Sequence, residues 1–177
     1  QNIDGKFIQA ILAWFNKESV DAAFDDRLPE HAPPKRAHVY IHSLDPGLKD
    51  KCWSLVFDVR PSGDAIGVNI ARQVGKQTTR GIVALGVRWH QAYEQKETPT
   101  AKDGLAYIET GVDTTALGGH MFRDLLEEYI SIKSFEFGGM AKVKRQLLSD
   151  LRTALDEHRL HMPASGFWAE VRRQLKN

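Results

Sequence analysis

The sequence predicts an α/β protein built on a mixed sheet with helices on both faces. Two observations carry this reading. Three apolar runs between residues 37 and 74 are separated by short turns, "DPGLKDK" and "RPSGD", and connections that short make an antiparallel meander. Beyond them, strand-like and helix-like segments alternate, so the later strands join the same sheet through helical crossovers. A chain of 177 residues is long enough for one such domain, and 42% hydrophobic with 27% charged residues is an ordinary globular mixture.

Taken in order, "DGKFIQAILAWFNKESVDAAF" places Phe7, Ile8, Ile11, Leu12 and Phe15 at helical spacing. The polar, proline-bearing stretch "DDRLPEHAPPKRAH" then reads as a linker, so residues 1–36 are expected to be a helical extension and residues 37–177 the folded domain. "AHVYIHSL", "CWSLVFDV" and "AIGVNIARQV" are the three meander strands. "TTRGIVALGVRWHQAYEQ" reads as a helix in spite of two glycines, and "KETPTAKDG" as a loop into the short strand "LAYIET". "GGHMFRDLLEEY" starts another helix and "ISIKSFEF" another strand. The strongest helical signal is "MAKVKRQLLSDLRTALDEH", with Met140, Val143, Leu147, Leu151, Ala154 and Leu155 on one stripe. "RLHMP" is a short extended piece, and Ser165 is placed to cap a last helix, "SGFWAEVRRQLK". The resulting order, β-β-β-α-β-α-β-α, is the ribonuclease H-like arrangement.

Composition excludes little else. A net charge of +1 neither requires nor forbids a nucleic-acid partner, and one cysteine, Cys52, allows no internal disulfide. No apolar run approaches the roughly 20 residues of a membrane-spanning helix.

The chemistry rests on acids at strand ends. Asp45 closes the first meander strand, and Glu109 closes "LAYIE", which this topology pairs beside the first. Neighbouring carboxylates repel unless a cation lies between them, and such oxygen donors suit Mg²⁺ or Mn²⁺. Asp45 opening the "DPG" turn and Glu109 capping the following segment is the bland alternative. "VGKQTTRG" fails as a phosphate-binding loop, because Ile70 stands where a glycine is needed and Gln77 where a hydroxyl must hold Mg²⁺. This chain is therefore expected to carry no ATP site.

"IHSLDPGLKDKCWSLVFDV" resembles the first nuclease motif of the large terminase subunit of tailed bacteriophages. "LAYIETGVDTTALGGHMFRDLL" is similar to that family's second motif, and the stretch from "KSFEF" to "VRRQL" to its tail. The resemblance spans about residues 39–177. It implies a metal-dependent endonuclease domain cutting concatemeric double-stranded DNA by two-metal hydrolysis with Mg²⁺ or Mn²⁺. Asp45 and Glu109 would be the catalytic metal ligands, with Asp50 as an auxiliary acid of the turn. The third aspartate of the family pattern is expected beyond Asn177. Asp150 and Asp156 are read as a solvated helix face, and Asp58 and Asp113 as weaker ligand candidates. The implied partners are an upstream ATPase domain, the small terminase subunit, the portal and duplex DNA, with no membrane. The implied location is the cytoplasm of the bacterial host and, transiently, the viral procapsid.

Basic clusters would grip the DNA backbone: Lys49 and Lys51 beside the metal turn, and Lys142, Lys144 and Arg145 at a helix start. Arg172, Arg173 and Lys176 form a third cluster. His38 and His42 find no third partner at zinc spacing and read as packing or surface residues. The rival readings are a resolvase-like nuclease of the same fold and a non-catalytic DNA-docking module.

Overall fold

The computed structural model describes residues 15–35, 38–47, 51–94, 108–114, 120–135 and 141–176. In chain order the elements are α1 (Lys17–Ala22), β1 (Phe24–Asp25), β2 (Val39–Asp45), β3 (Lys51–Val59), β4 (Ala65–Val74), α2 (Thr79–Tyr93), β5 (Ile108–Asp113), α3 (His120–Glu127), β6 (Ile132–Phe135), α4 (Ala141–Asp156), β7 (Leu160–Pro163) and α5 (Gly166–Lys176).

All seven strands form one sheet in the order β1-β7-β4-β3-β2-β5-β6. β2, β3 and β4 are the antiparallel meander, while β5 adds parallel to β2 and β6 parallel to β5. This five-strand core is the ribonuclease H-like topology that the element order predicts. β7 and β1 then extend it, each parallel to its neighbour, on the β4 side.

Strict alternation sends successive side chains to opposite faces. On one face Leu44, Cys52 and Val112 pack with Ile82, Val83 and Leu85 of α2 and with Leu126 and Ile130. α2 can lie this close because position 86 is glycine: a Cβ there would come within 2.8 Å of Leu44 Cδ2. The glycine that weakens the helical reading of the sequence is thus a packing requirement. Thr78 caps the helix, accepting the Gly81 N–H at 3.1 Å. On the other face Trp53, Leu55, Phe57 and Ile70 pack with Leu155, Trp168 and Val20 of α1.

Two expectations are corrected. Residues 15–35 are part of the domain and not a linker: Phe15, Val20, Ala23 and Phe24 lie in the second core. Phe24 pairs with Met162, and the Ala32 N–H donates to the Val68 carbonyl at 2.7 Å. The proposed helix over residues 7–12 lies outside the described residues. The start of α5 is held by Glu30, whose carboxylate accepts the Phe167 N–H at 3.3 Å, and not by Ser165, the residue to which the sequence points. Among the described residues no helix is long and apolar enough to cross a membrane.

Candidate metal and nucleic-acid site

β2 and β5 are adjacent parallel strands, so both end at the same edge of the sheet. Their last paired residues are Leu44 and Val112, which sets Asp45 beside Asp113, one residue further along each strand. Both aspartates lie on the face shared with Val39, Ile41 and Glu109. Here α1, α4 and α5 leave the sheet uncovered, and Val39 and Ile41 are 43% and 47% exposed. Sites in α/β proteins form at such carboxyl ends of parallel strands.

The backbone around Asp45 is tightly specified. The Gly47 N–H donates to the Asp45 carbonyl at 3.1 Å, and a Cβ at Gly47 would collide with the Lys51 carbonyl. Only glycine lets the chain fold back on itself here. The Asp45 carboxyl is held above its ordinary pKa, first by the protein mass that thins its hydration and second by the Asp113 carboxylate. Its side chain stays accessible to solvent. Burial and the Asp45 charge push the neighbouring Cys52 thiol up to about 11, so that cysteine is an inert core residue.

Glu109 does not meet Asp45, contrary to the sequence reading. It stands beside Ile41, four residues before the strand end, roughly 13 Å from the Asp45 position at ~3.3 Å per residue. Its carboxylate pairs with Lys133 at 2.8 Å. The reason is that β5 ends later than "LAYIET" implies. It runs through Gly111 to Asp113, with Ile108, Thr110 and Val112 turned into the core. The alternation Ile-Glu-Thr-Gly-Val-Asp carries that signal in the sequence.

Asp50 and Lys49 lie outside the described residues, as does the side chain of Lys142. Among the described residues no group of three His, Cys, Asp or Glu is arranged to hold a metal ion. Asp45 and Asp113 bring two carboxylates to one sheet edge, where each raises the cost of ionising the other. Asp150 and Asp156 bond to Gln146 and Arg152 on an exposed helix face, as expected.

The basic groups divide into two sets. Lys144 and Arg145 are exposed in the first turns of α4, which begins six residues after β6 ends beside Asp113. Lys51 is in an ion pair with Glu170 at 3.1 Å, and Arg72 bonds the same carboxylate while lying over the rings of Trp53 and Phe167. Arg172 and Lys176 bind Asp21 at 2.6 and 2.8 Å and tie α5 to α1, which takes two members of the third cluster out of play for DNA.

No family model matches this sequence, and no curated protein matches it. In three dimensions it is similar to the large terminase nuclease of the thermophilic phage G20c, whose crystal structure contains bound magnesium. The TM-score is 0.67 at 18% identity, over 90% of this chain and 77% of that one. The nuclease domain of the P22 large terminase matches with a TM-score of 0.54 at 13% identity, over 84% and 77% of the two chains. The large terminase of a second thermophilic bacteriophage matches with a TM-score of 0.60 at 13% identity, over 94% of this chain and 36% of that one. The chain thus spans about a third of that longer terminase. At these identities the likeness establishes the fold: a ribonuclease H-like domain of the kind found in phage terminase nucleases.

Proposed function

We propose that this chain is the nuclease domain of a phage large terminase and hydrolyses phosphodiester bonds of double-stranded DNA at Asp45 and Asp113. The observation that supports this reading most directly is the juxtaposition of those two aspartates at an uncovered sheet edge, on a fold shared with terminase nucleases. Mg²⁺ or Mn²⁺, bound in one or two positions, would supply an activated water and neutralise the leaving oxygen. The two carboxylates hold the cation, and Asp50 is the acid placed by sequence to join them from the turn. Lys144 and Arg145 draw the DNA backbone toward the same edge, and Lys51 joins them when its pair with Glu170 opens. In this reading the substrate is concatemeric viral DNA, cut in the bacterial cytoplasm at the procapsid. The small subunit, the portal and an ATPase domain complete the motor.

The absence of a third acid among the described residues favours a second reading, a DNA-docking module without chemistry. Two measurements separate them. Mn²⁺ titration followed by NMR should broaden the amides around Asp45 and Asp113 selectively, and Asp45→Asn should abolish that broadening. Plasmid cleavage in Mn²⁺ should be lost in Asp45→Asn while duplex binding is retained. Cleavage that is absent from, or equal in, both proteins supports the docking module.

A further inference from the structure

At the opposite end of the β2/β3 hairpin, roughly 20 Å from Asp45 along β2, lies a second group of charges. Asp58 is 1% exposed. A buried carboxylate is costly to desolvate unless cations and hydrogen bonds compensate it, and here two side chains do so. His38 Nδ1 lies 3.0 and 2.8 Å from the two Asp58 oxygens, and an Arg60 terminal nitrogen lies 3.3 Å from Oδ2. One carboxylate does not exhaust these donors. The Arg60 Nε is buried and has no hydrogen-bond partner. A guanidinium has five N–H groups, and with the Arg60 side chain 33% exposed the contact to Asp58 leaves others within reach of a ligand. His38 Nε2 lies on the ring edge away from Asp58.

These groups border a cavity of about 340 Å³ lined by His38, Val39, Val59, Arg60 and Pro61. Val39 and Val59 are cross-strand partners and form an apolar wall. Pro61 brings no N–H to compete for the occupant. Arg60 is fixed by its backbone, which donates to the Asp64 carbonyl at 2.8 Å and accepts from the Gly63 N–H at 2.9 Å. The cavity falls within the size range of small-ligand pockets. Among the described residues its lining offers the donors of Arg60 and His38 and no carboxylate, which suits an anion.

We propose that this cleft binds a phosphate group, gripped by Arg60 and His38, with Asp58 as the residue that positions both. The inference stands independently of the nuclease reading. It assigns the cleft to either of two sources of the same chemistry, a backbone phosphate of DNA or a free phosphate such as that of a mononucleotide.

The test is a ¹H–¹⁵N titration of the whole chain with inorganic phosphate, with a mononucleotide and with a short blunt duplex. Saturable shifts of the Val39, Val59, Arg60 and Ser62 amides are expected. Arg60→Gln should weaken phosphate binding about tenfold, the loss of one charge-assisted hydrogen bond, while the spectrum elsewhere is preserved. The wild-type titration decides even where that variant does not fold. Shifts produced by the duplex at these amides assign a backbone phosphate. Shifts produced only by inorganic phosphate and the mononucleotide assign a free one. If none of the three gives saturable shifts there, the proposal is overturned.

Discussion

Asp45 and Asp58 belong to the same β-hairpin and differ in almost everything that decides what an aspartate does. Asp58 faces the core, is sealed from water and is matched by His38 and Arg60. Asp45 sits at the turn end, is open to solvent and has no cationic partner among the described residues; its charged neighbour is another carboxylate. A paired buried acid is a structural part. An acid beside a second acid at an open edge is the kind of pair that the proposed function assigns to a cation. From sequence alone the two residues have similar local settings, each at or near the end of an apolar strand.

The largest effect expected from this contrast is on catalysis. Asp45→Asn and Asp113→Asn should each lower the cleavage rate by at least about 100-fold, the scale of losing a transition-state charge stabiliser. Asp45→Asn should not lower Tm, since it removes a like-charge contact. Asp58→Ala should do the reverse in kind: it removes the shared carboxylate of His38 and the partly exposed Arg60 and should cost about 1–2 kcal/mol of stability in urea unfolding. A stability loss in Asp45→Asn as large as that in Asp58→Ala would erase the distinction between the two acids.

A third buried polar group sharpens the contrast, because it carries no permanent charge. His42 is fully buried, with Nδ1 3.1 Å from Thr110 Oγ1 and Nε2 2.8 Å from Ser54 Oγ, and His90 Nδ1 lies 2.8 Å from the same threonine oxygen. Burial, and then the neighbouring His90, bring the His42 pKa down to about 3; burial also lowers that of His90. The unfolded chain takes up the His42 proton near pH 6.5 and the folded chain near 3, and His90 shifts in the same direction. Stability is therefore complete above about pH 6.5 and falls as pH drops through that value toward 3, by up to ~1.4 kcal/mol per pH unit for His42 alone. Urea unfolding at pH 6 and pH 5 measures the slope, and His42→Gln should flatten it. A slope unchanged in that variant would place the acid sensitivity elsewhere.

The fold was legible because period-2 and period-3.6 patterns and turn residues are local signals, and from Val39 to Tyr93 they agree with one another. The edge strand β1 was not, and β7 was legible only as the extended piece "RLHMP", since strands of two and four residues hold too little pattern and are fixed by pairing with each other and with β4. The packing of residues 15–35 was hidden for a similar reason. Prolines and polar residues mark a segment without regular structure, yet Glu30 and Ala32 anchor it through backbone groups, which no side-chain pattern reveals. Asp45 was placed at the end of its strand, where the structure has it, while Glu109 was put at the end of a strand that runs on to Asp113.

That misassignment yields the smallest predicted effect and the sharpest check on the site. Glu109 and Asp113 lie on the same face of the same strand, so a site without a defined register would respond similarly to the loss of either. The register instead puts Glu109 beside Ile41 and pairs it with Lys133, itself 62% exposed. An ion pair this accessible contributes about 0–1 kcal/mol. Glu109→Gln should therefore shift Tm by a degree or two at most, roughly what 0.5 kcal/mol gives in a domain of this size, and leave cleavage within about threefold of wild type. A collapse of cleavage in Glu109→Gln with full activity in Asp113→Asn would mean that β5 is paired four residues out of the register seen here, and the acid pair would have to be redrawn around Glu109.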